Sequence, residues 1–307
     1  MLNIIPPKAC DALSFESYTN LEVRHDTETQ AVWFSMAVEP RPCFTWNLVR
    51  DIMHFQQDVR MQYDPDQIRY LVFTSSSNDV FSFGGDLKLF QELIGRQDKE
   101  ELTRYANDCV TILYDYYCSL GLPVTSIALI EGDALGAGFE AALASNVLIA
   151  ECGVKIGFPE ILFNLVPGQG AFNLISRRVG SRIAKEMILE GKLYSSEELH
   201  QMGLIDVLVD VGEGKNAVNT YIRKHNKLWN ARYALQSIEG NCQRMTREEL
   251  QQSAAIWVNA ALKVRPAHLR VMDRLVRAQN RTVIKIKREK TVAPHQAVPA
   301  LLASASA

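Results

Sequence analysis

The chain has 307 residues, which is long enough to bury a sizeable hydrophobic core. Apolar residues make up 47% and charged residues 22%, as is typical of soluble globular proteins. The formal net charge of −2 excludes a global positive field that would attract nucleic acid or an anionic membrane. We therefore expect neither of these two partners.

The six cysteines are scattered without any C-x-x-C pair, which predicts reduced, mostly packed thiols and neither a zinc site nor a disulfide framework. The start of the chain lacks the basic segment and apolar run of a secretory signal. No uninterrupted apolar stretch approaches the ~20 residues that span a bilayer. We expect a cytoplasmic protein without a metal or other cofactor.

Strand and helix patterns alternate over residues 20–211, beginning with a hairpin signal, and this predicts an α/β fold with largely buried strands. Short apolar runs predict the strands, and apolar residues at helical spacing predict the helices. The predicted strands span 21–26, 31–39, 68–77, 123–132, 146–151, 154–158 and 204–210. The predicted helices span 46–63, 86–94, 100–121, 137–145, 170–180, 181–191 and 196–203.

From residue 213 onward the pattern is purely helical, with apolar stripes over 217–229, 246–262 and 267–280. Such stripes need a surface to cover, either their own domain or a neighbouring subunit. The basic and then Ala-, Ser- and Pro-rich end is predicted to be a mobile or peripheral tail. A solvated terminus explains this tail better than contact with an acidic partner does. The predicted division is a core with an N-terminal extension (1–212), a helical region (213–284) and the tail (285–307).

Two glycine-containing loops supply candidate backbone donors. In "FSFGGDL", residues 81–87, Gly84 and Gly85 allow unusual backbone geometry, and Asp86 can cap the next helix. In "EGDALGAGFEAALASN", residues 131–146, the N–H of Ala137 lies at the start of a predicted helix, where it has no partner within the helix. One N–H from each loop could bind an oxyanion. Taken alone, the first loop is better explained as an ordinary strand–helix turn.

Two glutamates lie among apolar residues and glycines. Glu140 belongs to the second loop region, and Glu160 follows Pro159 in "KIGFPEILFNLVPGQG", residues 155–170. A single buried glutamate is more often a helix cap or half of an ion pair. Two glutamates in such surroundings favour proton transfer, because burial raises the pKa of a carboxyl group toward neutrality.

Other chemistries fit less well. The segment "GAGFEA" matches the dinucleotide fingerprint, but it lies mid-chain, four residues separate it from its strand, and Glu160 follows a proline. The motifs G-x-S-x-G, G-x-x-x-x-G-K-[ST] and H-E-x-x-H do not occur. The six histidines do not cluster at ligand spacing.

Four motifs in the right order resemble the crotonase (enoyl-CoA hydratase) superfamily. They are "FSFGGDL", "ALGAGFEAALASNVLIAE", "IGFPEILFNLVPGQGAFNLISRRVG" and "LYSSEELHQMGLIDVLV", and the resemblance covers roughly residues 20–285. Within the superfamily the chain is most similar to the diffusible signal factor synthases, which make cis-2-unsaturated fatty acids for bacterial cell-to-cell signalling. The segments "EPRPCF", "GFEAALA", "PEILFNL" and "MDRLVRAQ" carry this closer resemblance.

The resemblance implies a spiral of ββα repeats followed by helices that mediate oligomerisation, usually into trimers or pairs of trimers. It implies that Gly85 and Ala137 are the oxyanion-hole donors and that Glu140 and Glu160 are the acid/base pair. Asn146 stands where hydratases commonly carry aspartate, and "GAFNLISR" replaces their "GGTQRL" run. Both departures weaken the case for an ordinary hydratase of β-oxidation.

The implied activity is dehydration of a 3-hydroxyacyl thioester and hydrolysis of the product to a free cis-2-enoic acid. The implied carrier is acyl carrier protein, with coenzyme A as the other candidate. The alternatives are a β-oxidation enoyl-CoA hydratase and a catalytically idle scaffold that binds a partner. Docking of a signalling protein, the acyl chain length and its branching stay open.

An apolar tunnel for the acyl group is expected to use the helical end of the chain. Trp257, in "AAIWVNAAL", is a candidate for limiting the tail of the substrate together with Leu135, and Gly136 completes the predicted substrate-binding set. The alternative is that Trp257 is a core or subunit-interface residue.

Overall fold

The computed structural model describes residues 13–15 and 17–292. The strands are β1 (Leu21–Asp26), β2 (Ala31–Met36), β3 (Tyr70–Ser75), β4 (Val80–Ser82), β5 (Thr125–Ile130), β6 (Asp133–Leu135), β7 (Val147–Glu151), β8 (Lys155–Gly157), β9 (Leu193–Ser195) and β10 (Val207–Val209). The helices are α1 (Trp46–Met61), α2 (Leu87–Gly95), α3 (Lys99–Tyr117), α4 (Ala137–Leu143), α5 (Ala171–Val179), α6 (Ser181–Glu190), α7 (Ser196–Gln201), α8 (Gly214–Asn226), α9 (Trp229–Cys242), α10 (Arg247–Ala261) and α11 (Pro266–Val292). Short 3₁₀ turns lie at Ser119–Gly121 and Pro159–Phe163.

Two sheets organise these elements. The larger sheet has the order β1-β2-β3-β5-β7-β10 and is parallel except for the β1–β2 hairpin. The smaller has the order β4-β6-β8-β9, with only the β8–β9 pair antiparallel. Successive strands of the larger sheet, β3, β5 and β7, each lead into one strand of the smaller sheet and then into helix. This arrangement confirms the predicted α/β spiral of ββα repeats.

The larger sheet is buried on both faces, since alternate side chains of a strand point to opposite sides. In β3, Leu71 and Phe73 face the main core, whereas Tyr70 and Val72 face a smaller cluster. Helix α8 covers that smaller cluster with Val218 and Ile222, both fully buried. Because α8 packs on the sheet, the helical region begins as a layer of the core.

The last helices differ in what they cover. Helix α10 packs along α3, and α11 packs against α2 and the Pro159–Phe163 turn. Helix α9 buries none of its residues, and Leu235 and Ile238 are 55% and 58% exposed. The predicted boundary between the helical region and the tail, at residue 285, falls inside α11, which continues to Val292. The rest of the predicted tail, residues 293–307, lies outside the described residues.

Within the described part of the chain, no helix is long and apolar enough to cross a membrane. The five cysteines that the structure describes are all unpaired. Cys43 and Cys109 are buried, Cys152 is half-buried, and Cys118 and Cys242 are exposed. The expectation of mostly packed thiols therefore holds for two of these five cysteines only.

Candidate active site

A cavity of about 340 Å³ brings the predicted site residues together. Six of the seven line it, from four separate parts of the chain: Gly85, Leu135, Ala137, Glu140, Glu160 and Trp257. Gly136 lies against the Glu160 carboxylate, where an added Cβ would overlap Glu160 Oε1. The cavity is bounded by α2, α10 and α11 and by the Pro159–Phe163 turn.

The two glycine-containing loops pack directly on each other. Gly84 has a φ of +90°, and a Cβ there would lie 2.7 Å from the Leu135 carbonyl oxygen and 3.2 Å from the Ala137 nitrogen. Both the dihedral angle and the close approach therefore require glycine. As a result, the Gly85 and Ala137 backbones meet at one wall of the cavity. Among the described residues, neither N–H has a hydrogen-bond acceptor, so both can bind a carbonyl oxygen.

Contacts of Asp86 hold the loop that contains Gly84 and Gly85. As predicted, Asp86 caps α2, since its carboxylate accepts from the Lys88 N–H. The same Oδ1 pairs with Arg41 Nη2 at 3.2 Å, and Arg41 Nη1 donates to Gln279 Oε1 at 3.0 Å. The loop that presents Gly85 is therefore tied through Arg41 to α11.

Glu140 is buried in α4, with 1% of its surface exposed. Its Oε1 accepts hydrogen bonds from the backbone N–H groups of Gln169 and Ala171, both at 2.9 Å. Burial raises the pKa of the carboxyl group to about 7, although these N–H groups act to lower it. Glu140 is thus held in place and can gain or lose a proton near neutral pH.

Glu160 lies in the Pro159–Phe163 turn and lines the cavity, with its carboxylate against Gly136. Its Oε2 is shielded from solvent and has no hydrogen-bond partner within the described residues. Burial and, secondly, the negative charge of Glu140 raise the pKa of Glu160 to about 8. The two carboxyl groups therefore share a proton near neutral pH, as an acid/base pair requires.

Trp257 is both a core residue and part of the cavity wall. It is 6% exposed, and its ring packs edge-to-face on Phe90 at a centroid distance of 5.1 Å. A Cβ on Gly168 would lie 2.5 Å from Trp257 Cγ, so glycine lets the indole approach the backbone. Burial of Trp257 within one chain agrees with the core interpretation and is compatible with contact to a substrate tail.

The sequence reasoning missed several parts of the cavity lining, and two of them stand out. The first is α11, which contributes Leu275, Ala278, Gln279 and Thr282. Spacings of three and four residues within this set were a readable signal of a common face. The second is Asp133, which shares one face of β6 with Leu135 and whose Oδ1 accepts from the Lys155 N–H at 2.8 Å. Burial raises the pKa of Asp133.

Asn146, one of the two departures from the hydratase pattern, has a structural role outside this cavity. Its Oδ1 accepts from the Ser126 N–H and from the hydroxyl groups of Ser119 and Ser126. In the other departure, Ala171 contributes its N–H to Glu140. Neither change removes a carboxyl group from the site.

The dinucleotide interpretation of "GAGFEA" is not compatible with this fold. Gly138 packs against β4, where an added Cβ would lie 2.5 Å from Ser82 Cβ, and Glu160 faces the same cavity as Glu140. In the part of the chain that the structure describes, no group of three His, Cys, Asp or Glu side chains is placed to hold a metal ion.

The spiral of ββα repeats, with two carboxyl groups and two backbone N–H groups around one cavity, defines a crotonase-fold protein. The family model described as enoyl-CoA hydratase/isomerase matches residues 47–263. The chain therefore belongs to the enoyl-CoA hydratase/isomerase family.

Similarity to curated proteins and to solved structures supports this family assignment. An enoyl-CoA isomerase/hydratase of Zymoseptoria tritici is 33% identical over 157 residues, which span 51% of this chain and 49% of that protein. The match thus covers about half the length of this curated relative. The enoyl-CoA hydratase structure from Bacillus anthracis shares the fold, with a TM-score of 0.65 and 23% identity over 78% of this chain and 90% of that one. The structure of Pseudomonas aeruginosa DspI aligns with a TM-score of 0.63 and 25% identity, over 76% of this chain and 92% of the DspI chain.

Proposed function

We propose that the protein dehydrates a 3-hydroxyacyl thioester on acyl carrier protein to a cis-2-enoyl thioester and hydrolyses it to a free cis-2-unsaturated fatty acid. The observation that carries the proposal is the pair of carboxyl groups of Glu140, which is buried, and Glu160, whose Oε2 is shielded from solvent, beside two N–H groups without acceptors among the described residues. The motif resemblance to the diffusible signal factor synthases supports the product. The likeness to DspI is consistent with it.

In the first step the thioester carbonyl oxygen accepts hydrogen bonds from Gly85 and Ala137. This polarisation acidifies the C–H group at C2, because the N–H groups stabilise the negative charge that develops on oxygen. Glu160 removes the C2 proton, and Glu140 protonates the C3 hydroxyl, which leaves as water. A carbon–carbon double bond forms as the C–O bond breaks.

The direction of this step sets which glutamate must hold the shared proton. Dehydration starts with that proton on Glu140 and with Glu160 ionised. Because both pKa values lie near neutrality, the proton can occupy either carboxyl group under assay conditions near neutral pH.

In the second step water attacks the same thioester carbonyl. The two N–H groups stabilise the resulting oxyanion, one of the carboxylates accepts the proton of the attacking water, and the C–S bond breaks. The carrier leaves as its thiol, and the enoic acid is released. One cavity therefore serves both steps, because each step develops negative charge on the same carbonyl oxygen.

The match to the enoyl-CoA hydratase/isomerase family model favours a second candidate function, which is hydration of an enoyl-CoA. Protonated Glu160 could donate to C2 while ionised Glu140 activates a water molecule for attack at C3. An idle scaffold is disfavoured, because both carboxyl groups line the cavity and both have pKa values near neutrality.

Mass spectrometry of the reaction products distinguishes these functions. A 3-hydroxyacyl-carrier thioester is incubated with the protein, and both free acids and thioester-bound products are quantified. We expect a free cis-2-enoic acid. An enoyl-CoA hydratase would instead interconvert trans-2-enoyl and 3-hydroxyacyl thioesters without releasing acid, and an idle scaffold would leave the substrate unchanged.

Trp257→Ala is expected to shift the preferred acyl chain toward longer substrates while sparing the chemistry. The indole forms part of the cavity wall beside Phe90, so its removal lengthens the space open to an acyl tail. The measurement is kcat/KM over a series of acyl lengths, with size-exclusion chromatography of the same samples. Chain-length selectivity that stays the same while the oligomer dissociates would mean that Trp257 acts only in assembly.

The proposal includes self-association through the helical end. Leu235 and Ile238 on α9 are apolar and more than half exposed, which is a surface that a second copy could bury. Assembly as a trimer or a pair of trimers, a cytoplasmic location and docking of a signalling protein stay predictions.

A further inference from the structure

Helix α11 concentrates positive charge in an otherwise acidic chain. Residues 266–292 contain eight Lys and Arg against two Asp and Glu, a net charge of +6, whereas the whole chain carries −2. The rest of the protein therefore carries −8. This separation places the main positive feature of the sequence on a single element.

The basic residues of α11 form one row. Successive residues of a helix turn by about 100°, which places the row members within an arc of about 80° on one side of the helix. They span about 27 Å at about 1.5 Å per residue, and all six are exposed. We call this row the α11 basic stripe: Arg270, Arg274, Arg277, Arg281, Lys285 and Arg288.

The α11 basic stripe borders the candidate active site. The residues of α11 that line the cavity, among them Leu275, Ala278 and Thr282, lie on the adjoining face of the same helix. Thr282 both lines the cavity and is exposed, so the rim of the cavity lies between the two faces. A partner held by the stripe would therefore be next to the opening.

The positive charges of the stripe are largely uncompensated. Arg277 pairs with Asp273 one turn away on α11. For Arg270, Arg274, Arg281 and Arg288, no ion pair is found among the residues that the structure describes. An anionic partner would thus gain attraction at these four arginines without first breaking internal salt bridges.

We propose that the α11 basic stripe docks the acidic surface of the carrier protein that delivers the acyl thioester. The inference rests on the proposed function and adds the surface that recognises the carrier. The shape of the stripe favours a protein over a nucleotide, because a row of about 27 Å exceeds what the clustered phosphates of one coenzyme A can contact. Complementary charge of this kind mainly speeds association and weakens as salt increases.

The test compares one acyl group on three carriers. The variant Arg270→Glu, Arg274→Glu, Arg281→Glu is assayed with a 3-hydroxyacyl group on acyl carrier protein, on coenzyme A and on pantetheine. We expect KM for the carrier-protein substrate to rise at least tenfold, and its dependence on salt to flatten. Turnover of the pantetheine thioester should stay within about twofold of the parent. A matched control, Arg50→Glu, Lys224→Glu, Lys227→Glu, makes the same charge change at exposed sites elsewhere and should behave as the parent.

Other outcomes overturn the docking proposal. An equal loss on all three substrates would mean damage to the site, and a loss confined to coenzyme A would assign the stripe to nucleotide phosphates. Full activity on every substrate would leave the stripe without a role. A direct titration of unacylated carrier protein separates this inference from the proposed function. If the carrier protein binds the parent but not the stripe variant, docking is supported even if no acid is released. If acid is released but the carrier protein binds both equally well, only the proposed function is supported.

Discussion

Glu160→Gln is expected to lower the rate of dehydration by about 10²- to 10⁴-fold, the usual contribution of one general acid or base. Glutamine keeps the shape of the side chain but cannot accept the C2 proton. Since Glu160 Oε2 has no hydrogen-bond partner within the described residues, the substitution breaks no identified contact of that atom. The measurement is consumption of a 3-hydroxyacyl thioester under single-turnover conditions.

The same variant has an expected signature in stability. The folded-state pKa of Glu160, about 8, lies above its ordinary value of 4.5, so the stability linked to the protonated group is present below pH 4.5. That stability is lost as the pH rises through about 8. Glutamine does not titrate, so Glu160→Gln should become progressively more stable than the parent across this range in thermal unfolding.

Glu92→Gln, an exposed change on α2, is the control and should alter neither rate nor stability by much. Near-parental turnover of Glu160→Gln would exclude the two-carboxylate mechanism.

Gly136→Ala is expected to reduce activity at least about 100-fold, because one methyl group disturbs both the Glu160 carboxylate and the N–H of Ala137. Gly136 has a φ of +50° and a ψ of −124°, a conformation essentially restricted to glycine. An added Cβ would also overlap Glu160 Oε1 and force the carboxylate to move. The strained backbone directly precedes Ala137, so its N–H would be redirected as well. Steady-state kinetics checks the loss.

The matched control for this change is Gly95→Ala. Gly95 ends α2, has an ordinary backbone conformation, and a Cβ there would meet no atom within 4 Å. Activity and stability close to those of the parent are expected, and helix propensity favours alanine. If Gly136→Ala folded normally and also kept parental activity, Gly136 would have no part in shaping the site.

The long buried elements of the fold could be predicted because their patterns are local. Strands β3 and β5 are fully buried apolar runs, and α1 shows its apolar stripe in the sequence. Strands β4, β6 and β9 have only three residues each and were missed, whereas the equally short β8 and β10 lie within the longer predicted strands 154–158 and 204–210. Helix α9 was missed because it buries no residue. The boundary placed at residue 285 followed a change in composition, whereas the helix continues to Val292.

Most of the candidate site could be predicted from the sequence, because glycine and proline identify the loops that form it. Both glutamates, Gly85 and Ala137 come together as the motifs indicate. The spacing within α11 indicates a common face, but its position over the cavity could not be predicted, since a long-range contact decides which face of a polar helix covers a cavity. The same holds for the raised pKa values of Glu140 and Glu160, which depend on burial and, for Glu160, also on the negative charge of Glu140.

The most direct test of the central claim follows isotope from water into the product. The parent, Glu140→Gln and Glu160→Gln are each incubated with a 3-hydroxyacyl-carrier thioester in ¹⁸O-labelled water, and the released acid is analysed by mass spectrometry. The account predicts that the parent releases a cis-2-enoic acid with one ¹⁸O in its carboxyl group, and that each variant releases at least about 100-fold less. An enoyl product that stays on its carrier, or labelled acid formed equally by the variants, would contradict it.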